Sequence, residues 1–280
     1  MRKLIPAVSG IILALAVVVT TTACASRPVG PGPDAIKVLF IGSSYFAGND
    51  LIGMFHSLAD EGGKDIWIGE EVISGKFLDY HALSSSTDKR IRNQDWDFVL
   101  MQGGGTPVAY PQTAHLVIPP YEYHNAYAAL DLLVRKIWAN HPGSRPVFMM
   151  PWAFEDGLLW VDGQSDTYAD MQELIFEHSV AWGQALDLTI APVGWAFNSV
   201  LAERPYEHYL HVSDWNHASL KGSYLAACVF YVTLFQEGVA GFSFSAGLSR
   251  QDALYFQQVA TATVLENTTL WNLGDIPPEQ

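Results

Sequence analysis

The stretch that decides the fold runs from Lys37 to Ser44 and reads KVLFIGSS. Its first part, Lys37–Ile41, is a short and mostly continuous apolar run, which is typical of a strand buried on both faces of a parallel sheet. The chain then turns at Gly42-Ser43-Ser44, where a helix can begin. In α/β proteins such a junction, at the carboxyl end of a strand, is where reactive groups are presented. The stretch therefore predicts a first strand that carries a serine to the edge of the sheet.

Further apolar runs and helical repeats alternate along the rest of the chain. An alternating pattern over Ile66–Ile73 predicts a second strand, and short apolar runs predict three more, at Phe98–Met101, Pro146–Met150 and Leu188–Val193. Apolar residues at helical spacing predict helices over Leu51–Glu61, Leu130–Ile137, Met171–Leu186, Leu220–Phe235 and Asp252–Leu265. This alternation implies βαβ units with right-handed crossovers. Residues 36–280 are therefore predicted to form one doubly wound domain on a five-stranded parallel sheet.

The composition excludes several classes of protein. Of the 280 residues, 49% are hydrophobic and 12% aromatic, which supports a substantial core and argues against disorder. The formal net charge of −14 argues against nucleic acid or an anionic membrane surface as a partner, because both need clustered Lys and Arg. An acidic balance alone does not identify a substrate, since solubility explains many acidic surfaces.

The first residues have the pattern of an export signal. Two basic residues precede the apolar run Ile11–Val19, and small residues follow it up to Cys24. Residues 1–23 are therefore expected to be a signal peptide. The end of the segment resembles a bacterial lipobox, in which the cysteine is lipidated, although Thr21 stands where a large aliphatic residue is usual. We expect an exported lipoprotein of the cell envelope, held at the membrane by a lipid on Cys24; secretion with an unmodified cysteine is the alternative.

The segment after the signal and the second cysteine complete the domain organisation. Residues 24–35 are rich in proline and glycine and predict a tether between the anchor and the domain. Cys228 lies within the apolar run Tyr224–Phe235 and is expected to be a buried small hydrophobe. A cysteine nucleophile would need a polar, partly exposed setting, which this run does not offer.

A second short segment supplies groups that can activate the serine. Asp214-Trp215-Asn216-His217 precedes the apolar helix near the end of the chain. Serine is a poor nucleophile at its ordinary pKa and needs a nearby base, which His217 can provide. Asp214 can fix the tautomer of that imidazole and stabilise the imidazolium. The backbone N–H of Ser44, and that of Gly75 after the second strand, could then bind a developing oxyanion.

The combination of these motifs is more specific than each motif alone. Gly-Ser-Ser also occurs in plain turns and phosphate-binding loops, and Asp-x-x-His also occurs as a helix cap beside a surface histidine. Together they resemble the SGNH/GDSL-type hydrolases from about Lys37 to about Phe235. The family's nucleophile, oxyanion glycine and Asp-x-x-His match Ser44, Gly75 and Asp214–His217. The resemblance implies a flavodoxin-like three-layer α/β/α sandwich and ester hydrolysis through an acyl-enzyme on Ser44, without a cofactor.

The sequence after the third strand differs from the motif of that family. Its members have Gly-x-Asn-Asp after the third strand, and the Asn side chain is an oxyanion donor. This chain has Gln102-Gly103-Gly104-Gly105 instead. Gln102 carries the only amide side chain at this strand end, so the resemblance assigns the donor role to it. A backbone N–H of the glycine run, or no group at all, is the alternative.

The sequence leaves three other interpretations open. His208, His211, Asp214 and His217 recur at intervals of three, which suggests a metal site, but the spacing matches no metal-binding motif. The missing Asn favours a surface binding protein that keeps the fold without efficient catalysis. A lipid-tethered enzyme could instead act on phospholipids. Against these we expect a metal-free esterase that removes acetyl or other short acyl groups, acting on a small ester or an acylated carbohydrate.

Aromatic residues after the fourth strand bear on the substrate. An aromatic-rich loop at the carboxyl ends of the strands can line a cleft and stack on sugar or acyl groups. The same residues can equally pack against the edge of the sheet. The residues concerned are Trp152, Phe154, Trp160 and Tyr168.

Overall fold

Five parallel strands form the centre of the structure. The computed structural model describes residues 30–111, 126–158, 167–203 and 209–274, and Pro31–Gln280 form one compact unit. The strands are β1 (Ile36–Gly42), β2 (Ile66–Val72), β3 (Phe98–Gln102), β4 (Arg145–Met149) and β5 (Thr189–Ala191). Their order is β2-β1-β3-β4-β5, and every neighbouring pair is parallel. The predicted five-stranded parallel sheet is confirmed, and its order is that of flavodoxin-like folds.

Helices connect the strands. Those that the sequence predicts are α2 (Leu51–Glu61), α6 (Ala126–Asn140), α7 (Tyr168–Leu186), α9 (Leu220–Phe235) and α10 (Arg250–Leu265). Those that it does not predict are α1 (Ser44–Ala47), α3 (Leu78–Leu83), α4 (Ser85–Arg92), α5 (Gly105–Ala109) and α8 (Val193–Glu203). A 3₁₀ turn, Gly48–Asp50, joins α1 to α2. No helix within the described ranges combines the length and apolar content of a membrane span.

Strands β1, β3, β4 and β5 are largely buried on both faces, which explains their apolar runs, whereas the edge strand β2 is only partly buried. On β1, Val38 and Phe40 face a core formed with α2, α8, α9 and α10. Leu39 and Ile41 face a second core formed with helices α3 to α7. The structure is therefore the three-layer α/β/α sandwich that the resemblance implies. Cys228 is fully buried in the first of these cores, as predicted.

The last strand is shorter than predicted. The expected strand Leu188–Val193 reduces to Thr189–Ala191, and Val193 already begins α8. Pro192 has no N–H for the sheet, so the ladder cannot continue through it. Its carbonyl instead accepts from Ala196 N at 3.0 Å and starts the helix.

The predicted N-terminal segments lie mostly outside the described residues. This holds for the whole of the predicted signal peptide, residues 1–23, and for residues 24–29 of the predicted tether. The expected lipidation of Cys24 falls in that part of the chain.

Candidate active site

The strand-to-helix turn places Ser44 at the carboxyl end of β1. β1 ends at Gly42 and α1 begins at Ser44. A Cβ on Gly42 would lie 2.9 Å from Gln102 Oε1 and 2.9 Å from Phe46 Cδ2, so the close packing here requires glycine. As the first residue of α1, Ser44 has a backbone N–H with no intrahelical carbonyl to bond. Ser44 is partly exposed, so its N–H stays the first candidate for an oxyanion donor.

Three of the predicted site residues form a continuous hydrogen-bonded chain. Ser44 Oγ lies 2.8 Å from His217 Nε2, and His217 Nδ1 lies 2.6 Å from Asp214 Oδ2. The other carboxylate oxygen, Asp214 Oδ1, accepts from His217 N at 2.9 Å and from Asn216 N at 3.0 Å. Asp214 therefore closes the local turn with one oxygen and orients the imidazole with the other.

The contacts of Asp214 settle the protonation states in this chain. Partial burial by itself raises the pKa of Asp214, but the backbone N–H of His217, its imidazole and the N–H of Asn216 together hold the pKa below its usual value. The carboxylate is therefore ionised and accepts the Nδ1 proton of His217. In the neutral imidazole this contact selects the tautomer with the proton on Nδ1, so that Nε2 can accept from the Ser44 hydroxyl.

The turn between Asp214 and His217 carries an exposed aromatic side chain. Trp215 has a φ of 61°, in the left-handed region that residues other than glycine rarely adopt. Its backbone is held by bonds of 2.9 Å from Trp215 N to Val212 O and from Glu155 N to Trp215 O. The Trp215 side chain is 58% exposed, so it presents an aromatic surface two residues before His217 in the chain.

The aromatic residues after β4 mostly brace the site from within. Trp152 is fully buried, and its ring stacks between Tyr45 (4.3 Å between centroids) and Phe197 (4.8 Å). Trp152 Nε1 donates to Asn216 O at 2.7 Å. Phe154 is also buried. These rings therefore pack on the sheet instead of lining a cleft; Tyr168 is partly buried, and Trp160 lies outside the described residues.

Two side chains from the Ser44 segment hold the residues on either side of His217. The Tyr45 hydroxyl donates to Asn216 Oδ1, and Asn49 Nδ2 donates to Ala218 O at 2.8 Å. The nucleophile segment and the His217 segment are thereby joined at positions immediately before and after the imidazole. Sequence reasoning missed both contacts, because the partners are 171 and 169 positions apart and no local pattern pairs them.

Gly75 lies in a tight turn after β2. Lys76 N donates to Ile73 O at 3.0 Å across this turn, and Gly75 has a φ of 73°, which favours glycine. Ile73 N donates to Gly42 O at 2.9 Å, so the turn is attached to the end of β1. This places Gly75 on the segment that follows β2 beside the Ser44 turn, and its oxyanion role stays a prediction.

Gln102 makes contacts that differ from those of a substrate-facing donor. Its side chain is fully buried. Gln102 Oε1 accepts from both Ser43 N and Ser43 Oγ at 2.9 Å, while Nε2 donates to Gly103 O at 2.5 Å. Both ends of the amide therefore face protein groups behind the Ser44 turn. The donor role that the resemblance assigned to Gln102 does not fit these contacts.

The described residues of the histidine run, His211, Asp214 and His217, do not form a metal site. His211 Nε2 lies 2.9 Å from Ala153 O, and Asp214 is engaged with His217. Within the described ranges no group of three or more His, Cys, Asp or Glu side chains is arranged to hold a metal ion. His208 lies outside those ranges.

Comparison with solved structures identifies the fold. No family model matches the sequence, and no curated protein matches it. A DUF4886 family protein from Bacteroides uniformis superposes with a TM-score of 0.68 at 19% sequence identity, covering 83% of this chain and 95% of that chain. A protein from Slackia heliotrinireducens that is assigned to the SGNH hydrolases gives a TM-score of 0.54 at 22% identity, covering 70% of this chain and 97% of that chain. An acetylxylan esterase from Geobacillus stearothermophilus gives 0.53 at 19% identity, covering 79% of this chain and 99% of that chain. At these identities the matches establish the fold, which is the one found in SGNH hydrolases and acetylxylan esterases.

Proposed function

We propose that this chain is an exported serine esterase that hydrolyses acetyl or other short acyl esters, with acylated carbohydrates as its substrate class. The observation that carries the proposal is the unbroken chain from Ser44 Oγ through His217 to Asp214, at the carboxyl ends of the strands. The SGNH-type fold of the neighbours supports the same reaction class. Such a chain of groups is the arrangement that turns a serine hydroxyl into a nucleophile.

The first half of the reaction forms an acyl-enzyme. Ser44 Oγ attacks the ester carbonyl carbon while His217 Nε2 takes the hydroxyl proton. The negative charge on the carbonyl oxygen is met by the N–H of Ser44 and, we propose, that of Gly75. The bond from the carbonyl carbon to the alcohol oxygen then breaks, and His217 returns its proton to the departing alcohol.

The second half releases the acid. A water molecule attacks the acyl carbon and gives its proton to His217 Nε2. The tetrahedral intermediate then collapses to the free acid, and His217 returns that proton to Ser44 Oγ. Throughout both steps Asp214 stays ionised and stabilises the imidazolium, which its lowered pKa favours. No group outside this set of residues is required for proton transfer.

The exposed aromatic side chains near His217 support a carbohydrate-bearing substrate. Trp215 is 58% and Tyr209 is 70% exposed, and both belong to the segment that carries the imidazole. Flat aromatic surfaces that combine an apolar face with a polar edge suit the mixed surface of a sugar ring. The neighbour from Geobacillus stearothermophilus is an acetylxylan esterase, which gives the same substrate class for a protein of this fold.

We further propose that residues 1–23 direct export and that Cys24 carries the lipid that holds the domain at the membrane. The support is the sequence pattern alone: a basic start, a short apolar run and small residues up to the cysteine.

The test is hydrolysis of p-nitrophenyl acetate, butyrate and octanoate by the wild type, Ser44→Ala and His217→Ala. We expect activity on the short esters that both variants lose. Ser199→Ala and His56→Ala are matched controls, because Ser199 bonds within α8 and His56 is exposed on α2. Wild-type activity that persists in Ser44→Ala would remove Ser44 as the nucleophile. A rate that rises from acetate to octanoate would favour a lipase over a short-acyl esterase.

A further inference from the structure

The peptide unit just before the nucleophile is held on both sides by groups from other elements. Gly42 O accepts from Ile73 N at 2.9 Å and lies 3.0 Å from His81 Nε2. On the opposite side, Ser43 N donates to Gln102 Oε1 at 2.9 Å. The carbonyl and the N–H of the Gly42–Ser43 peptide therefore both have fixed partners. Rotation of this peptide, which would move Ser44, is restrained from two directions.

The Gln102 amide is oriented without ambiguity by its surroundings. Oε1 accepts two hydrogen bonds, from Ser43 N and from Ser43 Oγ, each 2.9 Å long. Nε2 faces the carbonyl of Gly103 at 2.5 Å, which only a donor can do. Ser43 is 1% exposed and Gln102 fully buried, so water does not compete for these bonds.

His81 completes the restraint from α3. It is fully buried, and its Nδ1 lies 3.0 Å from Thr87 Oγ1. Because Gly42 O can only accept, Nε2 carries the proton and Nδ1 accepts from the Thr87 hydroxyl. Burial lowers the pKa of His81 by more than the bond to Gly42 O raises it, which keeps this ring neutral.

We infer that Gln102 is a positioning residue for Ser44: it acts through Ser43, and the two side chains function as one coupled pair. The inference rests on the proposed function. Gln102 does not touch the substrate; it sets the orientation of the Ser43 peptide and thus the alignment of Ser44 Oγ with His217 Nε2. A donor to the oxyanion would bond the substrate through Nε2 and would be indifferent to the Ser43 hydroxyl.

The experiment is a double-mutant cycle with Ser43→Ala, Gln102→Ala and the double variant of the full chain. The readouts are kcat and KM for p-nitrophenyl acetate and the rate of Ser44 labelling by a fluorophosphonate. We expect Gln102→Ala to lower kcat by about 10–100-fold, because small displacements of a reacting group are costly, with KM within about twofold. Ser43→Ala removes one hydrogen bond and should lower kcat by about 3–10-fold. The double variant should match Gln102→Ala alone, since the Ser43 hydroxyl bond needs Gln102.

Controls separate alignment from general loss of structure. Gln257→Ala removes an equally buried glutamine, whose bonds go to Gly241, Tyr224 and Phe242, and it should leave kcat within about twofold. Circular dichroism gives the folded fraction by which each kcat is corrected. If Gln102→Ala folds poorly, the milder Ser43→Ala variant still tests whether loss of the Ser43–Gln102 hydrogen bond lowers kcat.

Each outcome decides between the positioning role and its alternatives. If the losses of Ser43→Ala and Gln102→Ala multiply in the double variant, the two act independently and the coupled pair is overturned. If Ser43→Ala has no effect while Gln102→Ala raises KM as strongly as it lowers kcat, Gln102 has some other role. A wild type that neither hydrolyses the ester nor labels at Ser44 would overturn the proposed function itself, and with it the positioning role.

Discussion

Replacement of Asp214 by Asn tests the proposed chemistry most directly, because the surrounding bonds dictate how the new amide would sit. Asp214 Oδ1 accepts from two backbone N–H groups, of Asn216 and His217. In Asp214→Asn only the amide oxygen can take that place, so the NH₂ group must face His217 Nδ1. The imidazole would then accept at Nδ1 and carry its proton on Nε2, where it could no longer take the proton of Ser44.

The size of the effect follows from two contributions. Two unit charges about 4 Å apart attract by about 1 kcal/mol in water and about 4 kcal/mol near a protein surface. Because the Asp214 side chain is 50% exposed, we take about 1–2 kcal/mol for the lost stabilisation of the imidazolium. The hydrogen bond from the new amide to His217 Nδ1 stabilises the tautomer that cannot act as a base, and breaking it adds about 1–3 kcal/mol. The sum, about 2–5 kcal/mol, predicts a kcat lower by roughly 30- to 5,000-fold.

The assay is kcat for p-nitrophenyl acetate together with the free energy of unfolding. Asp214→Asn keeps the bonds that close the turn but loses the charge that strengthens them, so the free energy of unfolding at neutral pH should fall by about 0.5 kcal/mol. Asp214→Ala loses those bonds and should unfold more easily by about 1 kcal/mol, as a lost cap does. Asp131→Asn, which removes a surface ion pair to Arg135, is the control. A kcat for Asp214→Asn within fivefold of the wild type would refute the role of the carboxylate in orienting His217.

Four further predictions concern the site, its contribution to stability and the predicted N-terminal anchor. Tyr45→Phe removes the bond to Asn216 and should lower the free energy of unfolding by about 1 kcal/mol, measured in urea, and kcat more than KM. Trp215→Ala should raise KM for an acetylated oligosaccharide and leave KM for p-nitrophenyl acetate within about twofold, as expected for an aromatic contact to the sugar alone. The pKa of Asp214 is lower in the folded than in the unfolded chain, so its stabilisation is present above the unfolded pKa of about 4 and lost as the pH falls through the folded pKa. The unfolding free energies of the wild type and Asp214→Asn should therefore converge in acid. Cys24→Ala should abolish incorporation of a fatty-acid label into the cellular protein and release it from the membrane fraction.

Much of the sheet could be predicted from the sequence because burial on both faces leaves a local mark. Four of the five strands begin and end within one residue of their predicted limits. Three of these are short, mostly apolar runs, and β2 instead has an alternating pattern. The exception, β5, was overextended because Pro192 and Val193 are apolar and yet belong to the start of a helix. Apolar character was the signal used, and it does not distinguish a strand from the first turn of a buried helix.

Four of the missed helices, α1, α3, α4 and α5, are too short to show an apolar stripe. The fifth, α8, has such a stripe, but its first residue falls within the predicted last strand. α4 reads SSTDKRIR and is held by its Ser84 cap and by the ion pair from Lys136 to Asp88. α5 contains Gly105 and Pro107, which suggest a break. Both lie in its first turn, where backbone N–H groups have no intrahelical partner and proline carries no penalty. These helices depend on tertiary contacts that a local pattern does not contain.

In the candidate site, contacts between residues close in the sequence could be predicted, and contacts between distant residues could not. The turn formed by Asp214 and His217 could be predicted, because its bonds span three residues. The function of Gln102 could not, because residue type alone does not tell which way a buried amide points. Its contact with Ser43 joins positions 59 apart. The resemblance suggested an oxyanion donor, and the positions of Ser43 N and Gly103 O around the amide indicate a positioning role instead.

The backbone is strained in both of the segments that hold Ser44 against His217. Asn49 and Trp215 have φ values of 52° and 61°, and each belongs to one of the two segments that meet at the site. Such conformations cost about 1 kcal/mol or more each and persist only where surrounding contacts hold them. Here Asn49 Nδ2 donates a hydrogen bond to Ala218 O. The N–H and the carbonyl of Trp215 are both hydrogen-bonded to other backbone groups. The distance between Ser44 Oγ and His217 Nε2 is thus set by neighbouring residues, which leaves the hydroxyl and the imidazole free to exchange a proton.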